Sequence, residues 1–308
     1  MITIKEVTYK NYGKCLSMTN DKMELLVTIG VGPRIIKCNL RGSENLMFED
    51  LDRKQQEDVS SLYGEGKKWY IYGGHRLWLS PEDYPRTYYP DNASVVYSTH
   101  STGAVFTPKV QEVTGLAYEI AIDMDETEPV IRITHSITNT QKKPVTGSAW
   151  ALSVLAPGGA VLVPLPREDT GLLPSRVVSL WPYVDMTDDR YYWGKDYVML
   201  RQNPNNVNKT KFGVNNTVGK VAYLNHGQAL VKCYKPAHPD GAYTDFGVST
   251  EVFTNALFIE METLSPVSTI GKGEKITHTE TWMLYDEVKI PEKNTESVAK
   301  AAKNIGLE

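Results

Sequence analysis

Hydrophobic and polar residues alternate with a period of two along much of this chain, and turn residues interrupt the alternation at short intervals. The alternating segments are rich in Val, Ile, Thr and Tyr, and Gly, Pro, Asn or Asp residues bound them. This pattern is typical of short antiparallel strands, so the sequence predicts an all-β fold. The segments are 24–29, 34–40, 94–98, 116–124, 130–137, 149–155, 218–224, 228–234, 257–264 and 275–284.

The predicted strands belong to one large unit. No Gly/Ser-rich or Pro-rich linker and no fixed repeat divides the 308 residues. About fifteen strands exceed an immunoglobulin-type sandwich, and a larger double-sheet sandwich is the simplest way to pack them. Helical periodicity is confined to the C-terminal tail, where Thr295 is the expected N-cap and Gly306 the expected end. We therefore expect one domain over residues 1–290 and a short helix within residues 291–308 that packs on it.

Charge and cysteine usage exclude several classes of partner. The 33 Lys and Arg against 37 Asp and Glu give a net charge of -4, which offers no electrostatic footprint for nucleic acid or an anionic membrane. The three cysteines form no CxxC pair, which indicates a reducing compartment. The N-terminus lacks the apolar core of a secretory signal. We expect a cytoplasmic protein without a nucleic-acid or membrane partner, and its oligomeric state stays open.

Motifs of common cofactor chemistry are absent from the sequence. It contains no GxGxxG, GxxxxGK[ST], GxSxG or HExxH, so we expect no cofactor and no metal. The aromatic composition is more informative, because 18 Tyr and 6 Trp accompany only 6 Phe. Tyr and Trp combine a flat apolar face with a polar edge, which suits both sheet surfaces and sugar rings.

The first candidate site lies in the segment 69–82, WYIYGGHRLWLSPE. If residues 74–79 form a strand, Arg76 and Trp78 share one face and His75 lies on the other. A guanidinium beside an indole could hold a hydroxylated ring, with donors for the hydroxyls and a stacking face for the C–H surface. The alternative is an Arg paired with a structural carboxylate and a Trp in the core. The Gly pair before His75 permits a close backbone approach or a bulge.

The second candidate site is the pair Glu260 and Glu262, which alternation places on one face of a strand. Two neighbouring carboxylates repel, and a partly dry site would raise the pKa of one of them. Such a carboxylate suits a general base that works near neutral pH. The alternative is an ordinary solvated sheet face.

Further candidates are more scattered along the chain. The loop 181–193 mixes aromatic residues with Asp, which suits sugar recognition by Trp181 and Tyr183 as well as a loop pinned to the core. Lys211 and Asp245 are single polar candidates. His135 lies on an apolar strand face, where a histidine is more often a hydrogen-bonded core residue than a catalyst.

Several motifs, in chain order, resemble the galactose mutarotase-like superfamily, and within it an aldose 1-epimerase-like branch. The resemblance runs from about residue 20 to residue 285. The motifs are Gly32-Pro33-Arg34-Ile35-Ile36, Gly73-Gly74-His75-Arg76-Leu77-Trp78, Trp150-Ala151-Leu152-Ser153-Val154-Leu155-Ala156-Pro157-Gly158-Gly159, Glu260-Met261-Glu262-Thr263-Leu264-Ser265-Pro266, Gly273-Glu274 and His278-Thr279-Glu280-Thr281-Trp282.

The resemblance implies a β-supersandwich of two large sheets that binds a small-molecule carbohydrate on a concave face. In such mutarotases a late Glu takes the proton of the anomeric hydroxyl, and a His gives one to the ring oxygen. Carried over, Glu260 or Glu262 is the base and Arg76 holds the sugar. His75 and His135 are the candidates for the acid, and Trp150 joins the substrate-binding residues.

Two other functions remain open at this point. The chain lacks clean copies of the two histidine motifs of true mutarotases, which favours a carbohydrate-binding protein without turnover. A glycoside hydrolase or lyase on the same fold needs two carboxylates across a cleft. Glu260 and Glu262 are about 7 Å apart along a strand by Cα position, which is compatible with that chemistry.

Overall fold

Strands dominate the computed structural model, which describes residues 1–169, 171, 174–237 and 242–308. The all-β prediction and the short C-terminal helix are confirmed. The strands are β1 (Thr3–Thr8), β2 (Lys14–Thr19), β3 (Met23–Thr28), β4 (Ile35–Leu40), β5 (Gln56–Asp58), β6 (Lys68–Tyr70), β7 (Gly74–Ser80), β8 (Val96–His100), β9 (Gly103–Thr107), β10 (Leu116–Met124), β11 (Val130–Asn139), β12 (Val145–Leu155), β13 (Ala160–Pro164), β14 (Val178–Leu180), β15 (Tyr191–Trp193), β16 (Tyr197–Arg201), β17 (Thr210–Val214), β18 (Lys220–Asn225), β19 (Gln228–Tyr234), β20 (Thr250–Thr254), β21 (Ile259–Leu264), β22 (Ser268–Ile270) and β23 (Lys275–Tyr285). The helices are a 3₁₀ turn (Lys10–Tyr12), α1 (Ser60–Tyr63), α2 (Thr244–Gly247) and α3 (Thr295–Asn304).

Two large sheets form the sandwich. Across the described residues the first sheet has eleven strands, in the order β1-β2-β3-β4-β7-β12-β21-β20-β17-β14 with β22 paired to β12. The second sheet has ten, in the order β15-β16-β13-β18-β19-β23-β11-β10-β9-β8. Pairing at the centre of both sheets is antiparallel. The two-stranded ribbon β5-β6 lies apart from both sheets in the pairing order.

The main apolar core lies between the sheets and draws on strands of both. In the second sheet, β10 alternates buried and more exposed residues, as a strand with one solvent face should. In the first sheet, β12 and β21 are buried on both faces over most of their length. Loops and a second aromatic cluster around Trp69, Trp78 and Trp150 therefore cover the outer face of the first sheet.

The C-terminal helix packs on the outer face of the second sheet. Its buried residues Val298 and Ala302 belong to one apolar cluster with Ala160 and Leu162 of β13. Its N-cap is Asn294 rather than the expected Thr295, because the Asn294 side chain accepts a hydrogen bond from the Ser297 backbone N–H. No helix among the described residues is long and apolar enough to cross a membrane.

A buried ion pair lies between the two sheets. The Lys232 ammonium is 3.2 Å from Glu280 Oε1, both side chains are fully buried, and the ammonium also donates to the Met261 carbonyl of the opposite sheet at 3.3 Å. The Thr263 hydroxyl donates to Glu280 at 2.5 Å, and the Trp282 indole N–H donates to its other oxygen at 2.8 Å. Although burial raises the pKa of Glu280, Lys232 and the neighbouring histidines bring that pKa below its ordinary value.

Glu280→Leu is expected to destabilise the protein by about 3–5 kcal/mol, because it leaves the Lys232 ammonium buried without its counter-ion. The double variant Lys232→Met/Glu280→Leu removes both charges and should recover much of that loss. Urea unfolding of the wild type and the two variants measures both effects. A double variant no more stable than the single one would contradict this assignment.

Candidate functional site

A cavity of about 540 Å³ lies on the outer face of the first sheet. Strands β7, β12, β17, β20 and β21 form its floor. The β5-β6 ribbon with the residues just before it, and the loops around residues 82–88, 181–183 and 207–209, form its walls. Cavities of this size, with aromatic walls and a few convergent polar groups, are typical of small-molecule sites.

Strand alternation decides which side chains reach the cavity. On β7, Arg76 and Trp78 line the cavity, whereas Leu77 joins the core between the sheets. On β21, Glu260 lines the cavity and Met261 joins the core. The strand β12 lies between β7 and β21, with Leu152 paired to Arg76 and Val154 paired to Glu260. Arg76 and Glu260 therefore face each other across a single strand.

The Gly pair fixes the start of β7. Gly73 and Gly74 have φ of +102° and +64°, in the left-handed region that favours glycine. A Cβ at Gly73 would lie 2.0 Å from the Phe48 carbonyl oxygen, and one at Gly74 would lie 2.1 Å from that of Ile35. The close approach expected from the sequence is therefore present at the start of the strand that carries Arg76.

Arg76 and Glu260 form the polar centre of the cavity. Arg76 Nη2 donates to Glu260 Oε1 at 3.2 Å, and the guanidinium lies 4.3 Å from the Trp78 ring centre. The two residues are 3% and 8% exposed. Burial raises the pKa of Glu260 to about 7, against the opposing effect of Arg76. Glu260 is therefore a carboxyl group that can exchange a proton near neutral pH.

Glu262 has a different environment although it shares the strand face with Glu260. It is fully buried, and its Oε2 accepts hydrogen bonds from Trp150 Nε1 at 2.8 Å and from Lys211 Nζ at 3.0 Å. Lys211 also pairs with Glu251 at 2.7 Å. Although burial lowers the pKa of Lys211, Glu251 and Glu262 raise that pKa well above its ordinary value. Glu262 thus holds a permanent ammonium in place and does not line the cavity.

Aromatic side chains form the cavity walls. Trp150, Trp181 and Tyr183 line it as the sequence suggested, and the Lys211 ammonium lies 4.8 Å from the Trp150 ring and 4.6 Å from the Trp181 ring. Asp245 is not among the lining residues, and its carboxylate accepts a hydrogen bond from Ser80 Oγ at 3.2 Å.

Sequence reasoning missed several lining residues. Tyr88 packs 5.0 Å from the rings of both Trp69 and Trp78, and its hydroxyl donates to Glu82. Trp69 and Glu82 stand at the two ends of the candidate segment 69–82, so their proximity to Arg76 was a usable signal. Phe258, the residue before β21, shares the face of Glu260 by strand alternation, whereas no local motif marks Phe253 of β20.

The structure separates His75 and His135 from the cavity. Both imidazoles are fully buried between the sheets, with their Nε2 atoms 2.7 Å apart. His75 Nδ1 lies 2.9 Å from Ser153 Oγ, and His135 Nδ1 lies 3.0 Å from the His278 carbonyl oxygen. Because that carbonyl only accepts, His135 carries its proton on Nδ1, His75 donates from Nε2, and Ser153 donates to His75. Burial holds the pKa of both histidines below its ordinary value, so both imidazoles of this hydrogen-bonded pair are neutral at pH 7.

Among the described residues, the same interior cluster has the geometry nearest to a metal site, since one ligand atom each of His75, His135 and Glu280 lie within 4.8 Å of one another. All three side chains, however, already have hydrogen-bond partners. The Lys232 ammonium, 3.2 Å from Glu280, supplies the positive charge that a cation would bring. The residues therefore fit a closed hydrogen-bond network better than a metal site.

Comparison with known proteins identifies the fold. No protein-family model and no curated protein matches the chain. A candidate aldose 1-epimerase from Klebsiella pneumoniae is 12% identical with a TM-score of 0.61, and the match covers 99% of this chain and 87% of that one. A galactose mutarotase-like protein from Lactobacillus casei is 10% identical with a TM-score of 0.56, covering 88% and 100%.

A TPR-domain containing protein from Parabacteroides distasonis also matches, at 12% identity and a TM-score of 0.61. The match covers 91% of this chain but 49% of that protein, so the chain spans about half of its length. The matches to the two mutarotase-type structures show that the chain has the galactose mutarotase-like fold. The fold that the sequence motifs implied is therefore confirmed.

The raised pKa of Glu260 predicts a stability difference that depends on pH. The pKa rises from 4.5 in the unfolded chain to about 7 in the fold, so its contribution to stability is fully present below pH 4.5 and is lost as the pH rises through 7. One pKa unit corresponds to about 1.4 kcal/mol. The free energy of unfolding of Glu260→Gln should therefore rise by about 3 kcal/mol relative to that of the wild type between pH 4.5 and pH 8.

Urea unfolding at the two pH values measures this difference. The matched control is Glu119→Gln, on the outer face of β10 far from the cavity strands in the sheet order. A stability difference between Glu260→Gln and the wild type that stays constant with pH would contradict the raised pKa.

Proposed function

We propose that the cavity binds the ring of a sugar and that Glu260 takes the proton of its anomeric hydroxyl, as in an aldose 1-epimerase. The observation that carries the proposal is a buried carboxyl with a pKa of about 7, held beside Arg76 in an aromatic-walled cavity. Two of the matching folds are named for this chemistry, a candidate aldose 1-epimerase and a galactose mutarotase-like protein.

The cavity residues suit the two surfaces of a sugar ring. The indoles of Trp150 and Trp181 offer flat faces for the C–H surface of a pyranose. The Arg76 guanidinium and the Lys211 ammonium offer donors for its hydroxyl oxygens. Lys211 remains charged because Glu262 and Glu251 hold it.

The reaction needs one base and one acid. When Glu260 takes the proton from O1, the C1–O1 bond becomes a carbonyl, the C1–O5 bond breaks, and O5 needs a proton. Rotation about the C1–C2 bond then lets O5 close on either face of the carbonyl, which exchanges the two anomers. General acid and base catalysis contribute about 10²–10⁴-fold each in typical enzymes.

A carbohydrate-binding protein without turnover is the second candidate. The observation that favours it is that no histidine lines the cavity among the residues that the structure describes. A hydrolase that uses Glu260 with Glu262 is less well supported, because Glu262 is fully buried and bound to Lys211 and Trp150.

Polarimetry of freshly dissolved α-anomers of glucose, galactose, mannose and other aldoses tests the proposal. The wild type should accelerate mutarotation of at least one sugar, and Glu260→Gln should lower kcat by about 100-fold or more, since it keeps the shape of the side chain but loses the base. Glu119→Gln, far from the cavity, should keep the wild-type rate.

Calorimetry on the same sugars separates the two candidates. Saturable binding without acceleration of mutarotation would favour the binding protein. A wild type that neither binds nor accelerates any sugar of the panel would contradict both.

A further inference from the structure

We infer that Glu260 supplies both proton transfers of ring opening: its neutral carboxyl gives the proton on Oε2 to the ring oxygen while Oε1 takes the proton of the anomeric hydroxyl. This inference rests on the proposed function and deepens it. It also explains how a cavity without a histidine among its described residues could catalyse the reaction.

The neighbours of Glu260 are poor acids. Lys211 is held by two carboxylates, which raise its pKa well above the ordinary value despite its burial. Burial raises the pKa of Tyr183, and burial and Glu82 raise that of Tyr88. Each of these groups keeps its proton near neutral pH, so none of them is a ready donor to O5.

The two oxygens of Glu260 have different partners. Oε1 accepts the hydrogen bond of Arg76 Nη2 at 3.2 Å. Within the described part of the chain, Oε2 has no hydrogen-bond partner, and the side chain lines the cavity. In the neutral carboxyl, Arg76 thus favours Oε1 as the carbonyl oxygen and leaves Oε2 to carry the proton.

The geometry of a carboxyl matches that of a hemiacetal. The two carboxyl oxygens are bonded to one carbon, and so are O1 and O5 of the sugar, so the two pairs have similar separations. A carboxyl can therefore form two hydrogen bonds at once, one from O1–H to Oε1 and one from Oε2–H to O5.

The step conserves protons and charge. The O1–H proton moves to Oε1, the electron pair of that bond forms the C1=O1 bond, the C1–O5 pair moves to O5, and O5 takes the Oε2 proton. The products are an open-chain aldehyde and a neutral Glu260 whose two oxygens have exchanged roles. No charged intermediate forms, which suits a group that is only 8% exposed.

Opposing effects on the pKa of Glu260 allow both its neutral and its ionised form to be populated near neutral pH. Burial is the larger effect on its pKa, and Glu262 on the same strand also raises that pKa, whereas Arg76 from β7 and Lys211 from β17 lower it. The charged side chains of Lys54, Glu57, Glu82 and Lys209 also line the cavity, and the hydroxyls of Tyr88 and Tyr183 there stay neutral. The neutral form of Glu260 therefore prevails below a pH of about 7.

The direction of the pH–rate profile tests the inference. We expect kcat/KM for the sugar that polarimetry identifies, after subtraction of the spontaneous rate, to be high below pH 7 and to fall about tenfold per pH unit above it. A rate that instead rises through pH 7 would show that the ionised carboxylate acts as a simple base. That result would overturn the inference and leave the proposed function standing.

Two controls assign the titration and count the protons. The variant Glu119→Gln, on β10 of the second sheet, should leave the fall at the same pH, and loss of the fall in that variant would overturn the inference. In mixtures of H₂O and D₂O, two protons in flight give a curved dependence of the rate on the deuterium fraction, whereas a linear dependence would contradict the concerted step. A wild type that accelerates no sugar at all would instead refute the proposed function itself.

Discussion

A β-strand has only two faces, and in β7 and β21 one face points into the cavity while the other points into the interior between the sheets. On β7, Arg76 points into the cavity and His75 into the interior between the sheets. On β21, Glu260 points into the cavity, and Thr263 joins the interior network. The fixed alternation of side chains along a strand therefore separates an accessible set, which contains Arg76 and Glu260, from a closed set between the sheets, which contains His75 and Thr263.

The polar groups of the closed set form hydrogen bonds and an ion pair with one another, which explains how they can be buried between the two sheets. Buried polar groups are costly unless each has a partner. Here the Lys232 and Glu280 pair, the Thr263 hydroxyl and the histidine chain connect strands of both sheets. The same sheet presents on its other side a carboxyl that burial makes ready for proton exchange. Polar residues of the interior network and polar residues that face the cavity thus occur on opposite faces of the same strands.

The sequence was sufficient for the strands, the sandwich and much of the cavity, because period-two alternation is a local property. It pointed to Arg76 and Trp78 for the same reason. It could not separate Glu260 from Glu262, since that difference depends on Lys211 and Trp150, which come from other strands. Alternation placed His75 on the face opposite Arg76 and His135 on an apolar face, but it could not give their hydrogen-bond partners, because these partners lie on different strands of the two sheets. Tertiary contacts, rather than local patterns, decide which titratable group reaches the cavity.

The measurement that most directly tests this separation is an NMR titration of the protein labelled with ¹³C in the glutamate carboxyls and ¹⁵N in the imidazoles. The separation predicts that the Glu260 carboxyl titrates near pH 7 and that its signal moves when sugar is added. It predicts that the imidazoles of His75 and His135 are neutral at pH 7, titrate only below the ordinary pKa of a histidine, and do not respond to the sugar, since burial lowers their pKa. An imidazole of this pair that titrates near its ordinary value and responds to sugar would contradict the account.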